Sequence, residues 1–188
     1  MHSNDYHDIE EAHTMAFKHH FDSLYNYGMK VVNDSELVKD AIQELFFRIW
    51  RNNIDLSAIK SIKPYLLKGL RHQLLNYLQL KYYQTDKVEV EENIKVEFSP
   101  EDYYIQHQIE EDRRNKVIQA LNRLSAKQRE AIYLRYFEDL EYMQIAEIMG
   151  INLQSAKNNV QRGLNALKDL LGFVMFYYLF KEIFQIKV

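Results

Sequence analysis

Residues 124–171 read LSAKQREAIYLRYFEDLEYMQIAEIMGINLQSAKNNVQRGLNALKDLL, and this stretch decides the fold of the second half of the chain. Its apolar residues recur at helical spacing on both sides of the short segment Gly150-Ile151-Asn152. Glycine suits the left-handed backbone that ends a helix, and asparagine is a good N-cap for the following helix. The pattern therefore predicts a helix-turn-helix centred on Gly150.

The helix predicted after this turn has one apolar side and one polar side. Its polar side carries hydrogen-bonding and basic side chains, and no carboxylate occurs on the helix before Asp169. Such a helix fits the major groove of DNA. The candidate DNA-binding residues of this helix are Ser155, Lys157, Asn158, Asn159 and Arg162.

The composition favours a mostly helical protein of one or two small domains. The chain has 188 residues, 47% of them hydrophobic, with only two prolines and five glycines. Without cysteine it has neither a disulfide framework nor a thiolate metal site. The N-terminus lacks the pattern of a signal sequence and no run of eighteen apolar residues occurs, so we expect a cytoplasmic protein that is not itself a membrane protein.

The charge is unevenly distributed along the chain. Residues 86–112 contain ten acidic residues against Lys87 and Lys95, a net charge of −8. Because the whole chain carries −3, the remainder carries +5. The pattern predicts an acidic linker between two mildly basic halves.

Three helices are predicted in the first half. The first covers about residues 6–32, and Asn33 followed by Glu36 resembles a capping box that starts the second. The second helix ends near Asn52-Asn53, and Pro64 lies in the first turn of the third, which runs to about Tyr83. The residues of the third helix predicted to be buried are Leu66, Leu67, Leu70, Leu74, Leu75 and Leu78.

The two halves together resemble an extracytoplasmic-function (ECF) sigma factor, a small member of the sigma-70 family. The resemblance is carried by DAIQELFFRIW (residues 40–50), PYLLKGLRHQLLNYL (residues 64–78) and the helix-turn-helix. It implies an all-α fold of two small helical domains, a sigma region 2-like domain at residues 5–83 and a region 4-like domain at 113–171. An acidic linker at 84–112 joins them, and an apolar C-terminal extension occupies 172–188. The implied function is to bind core RNA polymerase and direct promoter recognition, melting and transcription initiation.

The first block resembles the helix that binds the β′ clamp helices of core polymerase. The resemblance assigns core-polymerase binding to Asp40, Gln43, Glu44 and Phe47, while we interpret Trp50 as mainly a core residue. Asp40, Gln43 and Phe47 share one helical face, away from the apolar stripe.

The second block resembles the helix that meets the −10 promoter element. In the family, this helix and the loop before it, here about residues 52–63, hold the non-template strand with one base flipped out of the stack. The usual Asn, Asp and Arg of the helix are replaced here by His72, Asn76 and Gln79. The candidate −10 residues are Lys60, Lys63, Lys68, Arg71, His72, Asn76 and Gln79.

The third block resembles region 4, which contacts the −35 element and grips the β flap of the polymerase. Two positions depart from the family pattern, Gln144 in place of Glu and Asn159 in place of Arg. Because asparagine and glutamine pair well with adenine and arginine with guanine, we hypothesise that this helix prefers a −35 element richer in adenine than an Arg-bearing relative would. The resemblance also implies an anti-sigma partner, and the linker charge suggests a path along basic channels of the core enzyme.

The sequence contains no pattern typical of catalysis. Its seven histidines follow no metal-ligand spacing, and neither a Gly-rich phosphate loop nor a nucleophile elbow occurs. We therefore expect no catalytic residue, metal or cofactor, and a protein that is not an enzyme. Two other functions stay open: a helix-turn-helix regulator that does not bind core polymerase, and a sigma-like antagonist that binds polymerase without starting transcription.

The extension at residues 172–188 also has two interpretations. Its first eight residues after Gly172 are apolar on every side, but as a helix they would span only about 12 Å, which is too short for a bilayer. The segment is either an extra helix packed on the second domain, or a segment that binds a partner or masks another surface of the chain itself.

Overall fold

The computed structural model describes residues 3–83, 96–98 and 111–183. The chain divides into two compact units, Met1–Ile94 and Lys95–Val188. Every regular element within the described residues is a helix, which confirms the predicted all-α class.

The first unit contains helices α1 (Ser3–Val32), α2 (Ser35–Arg51) and α3 (Ile62–Tyr83), with a short 3₁₀ helix at Leu56–Ala58. The apolar stripe of α2 faces α1 and α3, as its periodicity predicts. At Gly69 a Cβ atom would lie only 2.8 Å from a methyl carbon of Leu45, so α2 and α3 approach more closely there than a larger residue permits. The largest fully buried side chains of this unit are Leu24, Tyr27, Ile42, Ile49, Leu56, Leu66, Leu67, Leu70 and Leu74.

Two details of the first unit differ from the sequence prediction. The N-cap of α2 is Asp34, whose carboxylate accepts the Leu37 N–H at 3.1 Å, whereas Asn33 was predicted. Asn33 instead has a left-handed backbone (φ 48°), a conformation that asparagine tolerates, and its N–H bonds the Met29 carbonyl at the end of α1. Leu75 and Leu78, predicted to be buried, are half-buried because they lie at the margin of the apolar stripe of α3.

The second unit contains α4 (Glu111–Asn122), α5 (Ala126–Tyr136), α6 (Tyr142–Met149) and α7 (Leu153–Ile183). Ser125 caps α5 in a capping box with Gln128. Helix α7 packs against α4, α5 and α6. The buried residues that hold these helices together include Leu121, Ile132, Leu134, Ile145, Ala156, Val160 and Leu167.

Residues 96–98 belong to the core of the second unit, although the sequence places them in the acidic linker. Val96 and Phe98 are buried, and the Phe98 ring packs against Tyr133 and Phe137 at centroid distances of 6.1 and 5.3 Å. The Asn122 side chain accepts the Phe98 N–H at 2.9 Å and donates to the Phe98 carbonyl at 3.0 Å. The other linker residues, 84–95 and 99–110, lie outside the described residues.

Helix α7 is interrupted at Gly172, where the predicted apolar extension begins. Gly172 has φ 72° and ψ 161°, a backbone conformation that is essentially restricted to glycine. Helical structure continues from there to Ile183, with Phe173 and Tyr177 exposed and Met175 and Phe176 half-buried. No helix among residues 3–83 and 111–183 is long and apolar enough to cross a membrane.

Candidate protein and nucleic-acid interfaces

Helix α2 presents the four predicted polymerase-binding residues to solvent. Its buried side is formed by Val38, Ala41, Ile42, Leu45 and Ile49. On the other side Asp40, Gln43 and Glu44 are exposed, and Phe47 is 49% exposed. An exposed phenylalanine among polar groups provides apolar contact area for a second helix, while the polar groups fix its register.

The C-terminal end of α2 extends this surface with a residue that the sequence analysis misplaced. Trp50 is 58% exposed, so its interpretation as a core residue is wrong. Its ring lies 6.2 Å from that of Phe47, and the Arg51 guanidinium lies 5.9 Å from the Phe47 ring centroid. Trp50 follows Phe47 by three residues and Gln43 by seven. This helical spacing indicates that the three residues share one face of α2.

Helix α3 carries most of the candidate −10 residues on one side. Lys68, His72, Asn76 and Gln79 are exposed, and Arg71 is half-buried. His72 and Asn76 are paired, with 3.3 Å between the His72 Nδ1 and Asn76 Nδ2 atoms. The opposite side of the helix is formed by the buried residues Pro64, Leu66, Leu67, Leu70 and Leu74, which fix the orientation of the polar side.

The loop between α2 and α3, residues 52–61, is shaped by its own hydrogen bonds. The Asp55 carboxylate accepts the Ser57 N–H at 2.8 Å and the Ser57 hydroxyl at 2.6 Å. These two bonds lower the pKa of Asp55. Leu56 is fully buried and holds the loop against the unit, while Lys60 stays exposed.

Lys63 begins the polar side of α3 and lies near α1. It is half-buried, and it contributes to lowering the pKa of His20. Burial is the largest cause of that lowered pKa, and the positive charges of His19 and Lys63 add to it. Three lysine side chains thus occur along the loop and the start of α3: Lys60, Lys63 and Lys68.

The turn of the helix-turn-helix has the predicted geometry. Gly150 adopts the left-handed conformation (φ 66°, ψ 32°), and the next residue, Ile151, donates its N–H to the Ala146 carbonyl at 3.0 Å. The Asn152 side chain accepts the Ser155 N–H at 2.7 Å, as an N-cap residue does. The start of α7 is thus fixed on both sides of the turn.

The polar side of α7 is accessible, as a helix that contacts DNA requires. Lys157, Asn158 and Arg162 are exposed, whereas Ser155 and Asn159 are half-buried. Gln154, which was absent from the sequence prediction, is exposed and donates to the Asn158 side chain at 2.9 Å. Its position four residues before Asn158 in the sequence indicates that both residues lie on the same face of α7.

Gln144 has a structural role at the start of α6. Its side-chain oxygen accepts the Glu141 N–H at 2.9 Å, and this bond of the capping box orients the amide toward the start of its own helix. Of the two departures from the family pattern, Asn159 is therefore the better candidate for contact with a base.

The protein thus has two helical units. One contains a helix-turn-helix, as DNA-binding proteins do, and the other has exposed polar and aromatic helix faces. Family models match both units: Sigma-70 region 2 at residues 16–81 and Sigma-70, region 4 at residues 114–167. The chain belongs to the sigma-70 family as an ECF RNA polymerase sigma factor, a subunit that binds core polymerase and directs transcription initiation.

Proteins with similar sequences are named as RNA polymerase sigma factors. An ECF RNA polymerase sigma factor SigK from Mycobacterium sp. (strain KMS) is 28% identical over 157 residues, covering 78% of this chain and 77% of the relative. The RNA polymerase sigma factor SigZ of Bacillus subtilis (strain 168) is 28% identical over 153 residues, covering 79% and 80%. The fold is similar to the sigma factor RpoE of Bartonella quintana, solved with the anti-sigma factor NepR, with TM-score 0.61, 22% identity, and coverage of 87% and 96%.

Proposed function

We propose a division of promoter recognition between the two domains of this sigma factor. Residues 5–83 bind core polymerase and the −10 element, and residues 113–171 bind the −35 element. The acidic linker at 84–112 joins the two domains, and residues 172–188 form a C-terminal extension. The accessible polar side of α7, fixed by Gly150 and Asn152, carries this proposal.

The surface for core polymerase is the exposed side of α2. It consists of Asp40, Gln43, Glu44 and Phe47, extended by Trp50. Exposed aromatic residues are typical anchors of protein interfaces, and their burial in a complex contributes most of the binding free energy. The partner surface is the β′ clamp helices, while the first helices of the second domain grip the β flap.

The surface for the −10 element combines charge with hydrogen-bonding groups. Lys60, Lys63, Lys68 and Arg71 contact the phosphate backbone, and their charges offset part of the cost of unpairing the strands. His72, Asn76 and Gln79 lie along the exposed side of α3, where they contact the displaced strand. The loop before α3 receives the flipped base, and flipping costs least in weakly paired DNA.

The surface for the −35 element is the polar side of α7. Ser155 and Lys157 contact the backbone, whereas Asn158, Asn159 and Arg162 face base edges in the major groove. Because Asn159 stands where the family pattern has arginine, the preferred −35 element is richer in adenine than that of an Arg-bearing relative.

A further partner is an anti-sigma protein. The Bartonella quintana sigma factor is described in a complex of that kind. The exposed Phe173 and Tyr177 of the extension offer a contact surface for such a partner. The protein acts in the cytoplasm, and its role is binding, with no catalytic residue, metal or cofactor of its own.

Run-off transcription tests the proposal directly. Core polymerase and this chain are incubated with a library of fragments that carry randomised promoter elements, and the transcripts are sequenced. Transcripts that depend on both proteins and share two spaced elements are the expected result. Binding to core without transcripts would instead identify an antagonist, and DNA binding without affinity for core would identify an ordinary regulator.

Four substitutions on α2 test the proposed polymerase surface, and four on α1 provide the control. Changing Asp40, Gln43, Glu44 and Phe47 to alanine together should abolish transcripts and binding to core, because the proposed contacts are removed. The unit should stay folded, because these side chains are exposed. The same number of alanines at exposed Glu11, Lys18, Asp22 and Asn26 of α1 should leave both unchanged.

A further inference from the structure

A buried histidine of α1 holds the loop between α2 and α3. His13 is 8% exposed, and its Nε2 atom lies 2.8 Å from the carbonyl oxygen of Ile54. Because a carbonyl oxygen only accepts, Nε2 carries the hydrogen of this bond. The other ring nitrogen, Nδ1, is buried without a hydrogen-bond partner among the described residues. The ring therefore makes one partly buried hydrogen bond, and that bond crosses from α1 to a loop residue 41 positions away.

The bond fixes the loop at the point where α2 ends. Ile54 follows Asn53, whose backbone is left-handed (φ 48°), and its own N–H bonds the Ile49 carbonyl at 3.1 Å. The residue after it, Asp55, organises the remainder of the loop through Ser57. Both the N–H and the carbonyl of Ile54 are thus fixed, one to α2 and the other to α1.

We propose that His13 is a positioning residue for promoter opening, which holds the α2–α3 loop in the shape that receives the flipped base. This inference rests on the proposed function of the loop. His13 lies on the side of α1 that faces the core, and because it is buried it does not contact DNA in this proposal. It acts through the Ile54 carbonyl. A loop without that bond would adopt several shapes, so the shape that receives the base would be less populated.

A pair of nearly isosteric substitutions isolates the hydrogen bond. In His13→Gln the side-chain amide places an N–H donor near the position of Nε2, whereas His13→Met has similar length and no donor. Exposed His19 on the same helix provides the control variant His19→Met. The full-length variants are assembled with core polymerase on a promoter recovered by the wild-type enzyme from randomised DNA.

Open-complex formation is then measured on duplex promoter and on the same promoter with a premelted −10 bubble that lacks the flipped base. For His13→Met we expect duplex opening to slow by up to about tenfold, the scale of one lost, partly buried hydrogen bond. Affinity for core polymerase and the rate on the premelted template should stay unchanged. His13→Gln should restore the opening rate to within about threefold of the wild type. His19→Met should open the promoter at the wild-type rate.

Amide hydrogen exchange of the free protein gives a second measurement that is independent of any promoter. His13→Met should speed exchange in residues 54–59 while leaving the centres of α2 and α3 protected.

Each adverse outcome has a distinct meaning. His13→Met with wild-type opening and exchange would overturn the proposal, as would equal slowing of the Gln and Met variants. General loss of protection throughout the unit would also overturn it, because His13 would then be a residue of the fold alone. Failure of the wild-type enzyme on every promoter would refute the proposed function itself.

Discussion

Arg48 donates a hydrogen bond from Nη2 to the Gln73 side-chain oxygen over 2.8 Å, and this bond joins α2 to α3. Helix α2 carries the proposed polymerase surface, and α3 carries the proposed −10 surface. The bond is partly buried, and both side chains are half-buried. It therefore ties the position of one binding helix to that of the other.

Removing the acceptor should destabilise the first unit. In Gln73→Ala the Arg48 guanidinium loses this partner while its buried Nε atom already has none among the described residues. We expect the free energy of unfolding to fall by about 1–2 kcal/mol, as measured by urea denaturation. Asn26→Ala, at an exposed amide of α1, is the control and should change stability by less than about 0.5 kcal/mol. Equal effects of the two substitutions would contradict the prediction.

Asn122 should be essential for the attachment of residues 96–98. Asn122→Ala removes both hydrogen bonds to the Phe98 backbone and leaves its N–H and carbonyl unpaired, so we expect a loss of about 2–3 kcal/mol in the stability of the second unit. Thermal denaturation of residues 95–188 measures the loss. Exposed Asn115 on α4 is the matched control.

A shortened fragment examines the same contact from the other side. Residues 111–188 lack Phe98, whose ring fills space beside Tyr133 and Phe137, and should melt at a lower temperature than residues 95–188. Identical melting temperatures would show that the contact contributes nothing to stability.

Asp139 should be replaceable by glycine with a gain in stability. Its backbone is left-handed (φ 52°), and this conformation costs free energy for a residue with a Cβ atom. Asp139→Gly should therefore raise the free energy of unfolding by about 0.5–1 kcal/mol. Asp169→Gly, at an exposed position inside α7, should lower it by a similar amount because glycine weakens a helix interior. Destabilisation by both substitutions would contradict the proposed strain at Asp139.

Asn159 should set the base preference of α7. We expect Asn159→Arg to shift the selected −35 element toward guanine by about tenfold at one position, because arginine pairs with guanine in the major groove. Sequencing of transcripts from a library randomised only in the −35 element measures the shift. A G-rich element selected by the unaltered protein would contradict the hypothesis of an A-rich site.

Periodicity and turn chemistry carried much of the prediction. The apolar stripe of α2, the Gly150 turn and the Asn152 cap depend on neighbours in sequence, so a local pattern was sufficient. The family matches confirm the two helical regions and the sigma factor function. The individual contacts to polymerase and DNA stay predictions.

Features that depend on distant residues were missed. The burial of Val96 and Phe98 requires α4 and α5 as neighbours, and within the sequence they are two apolar residues in an acidic segment. The Arg48–Gln73 and His13–Ile54 bonds join positions 25 and 41 residues apart, which no local pattern reveals. Trp50 was misplaced for another reason: aromatic character suggested burial, although its helical position faces solvent.

The break at Gly172 makes the two parts of α7 separable for evolution. The part before the break is held by the turn and by packing on the other helices, whereas the part after it takes a direction set by one glycine backbone. Met175 and Phe176 after the break are half-buried, but this part of the helix does not include the proposed DNA-contacting residues Ser155, Lys157, Asn158, Asn159 and Arg162. A change of sequence after Gly172 is therefore expected to alter what the C-terminal end contacts, while the Gly150–Asn152 turn still orients the start of α7.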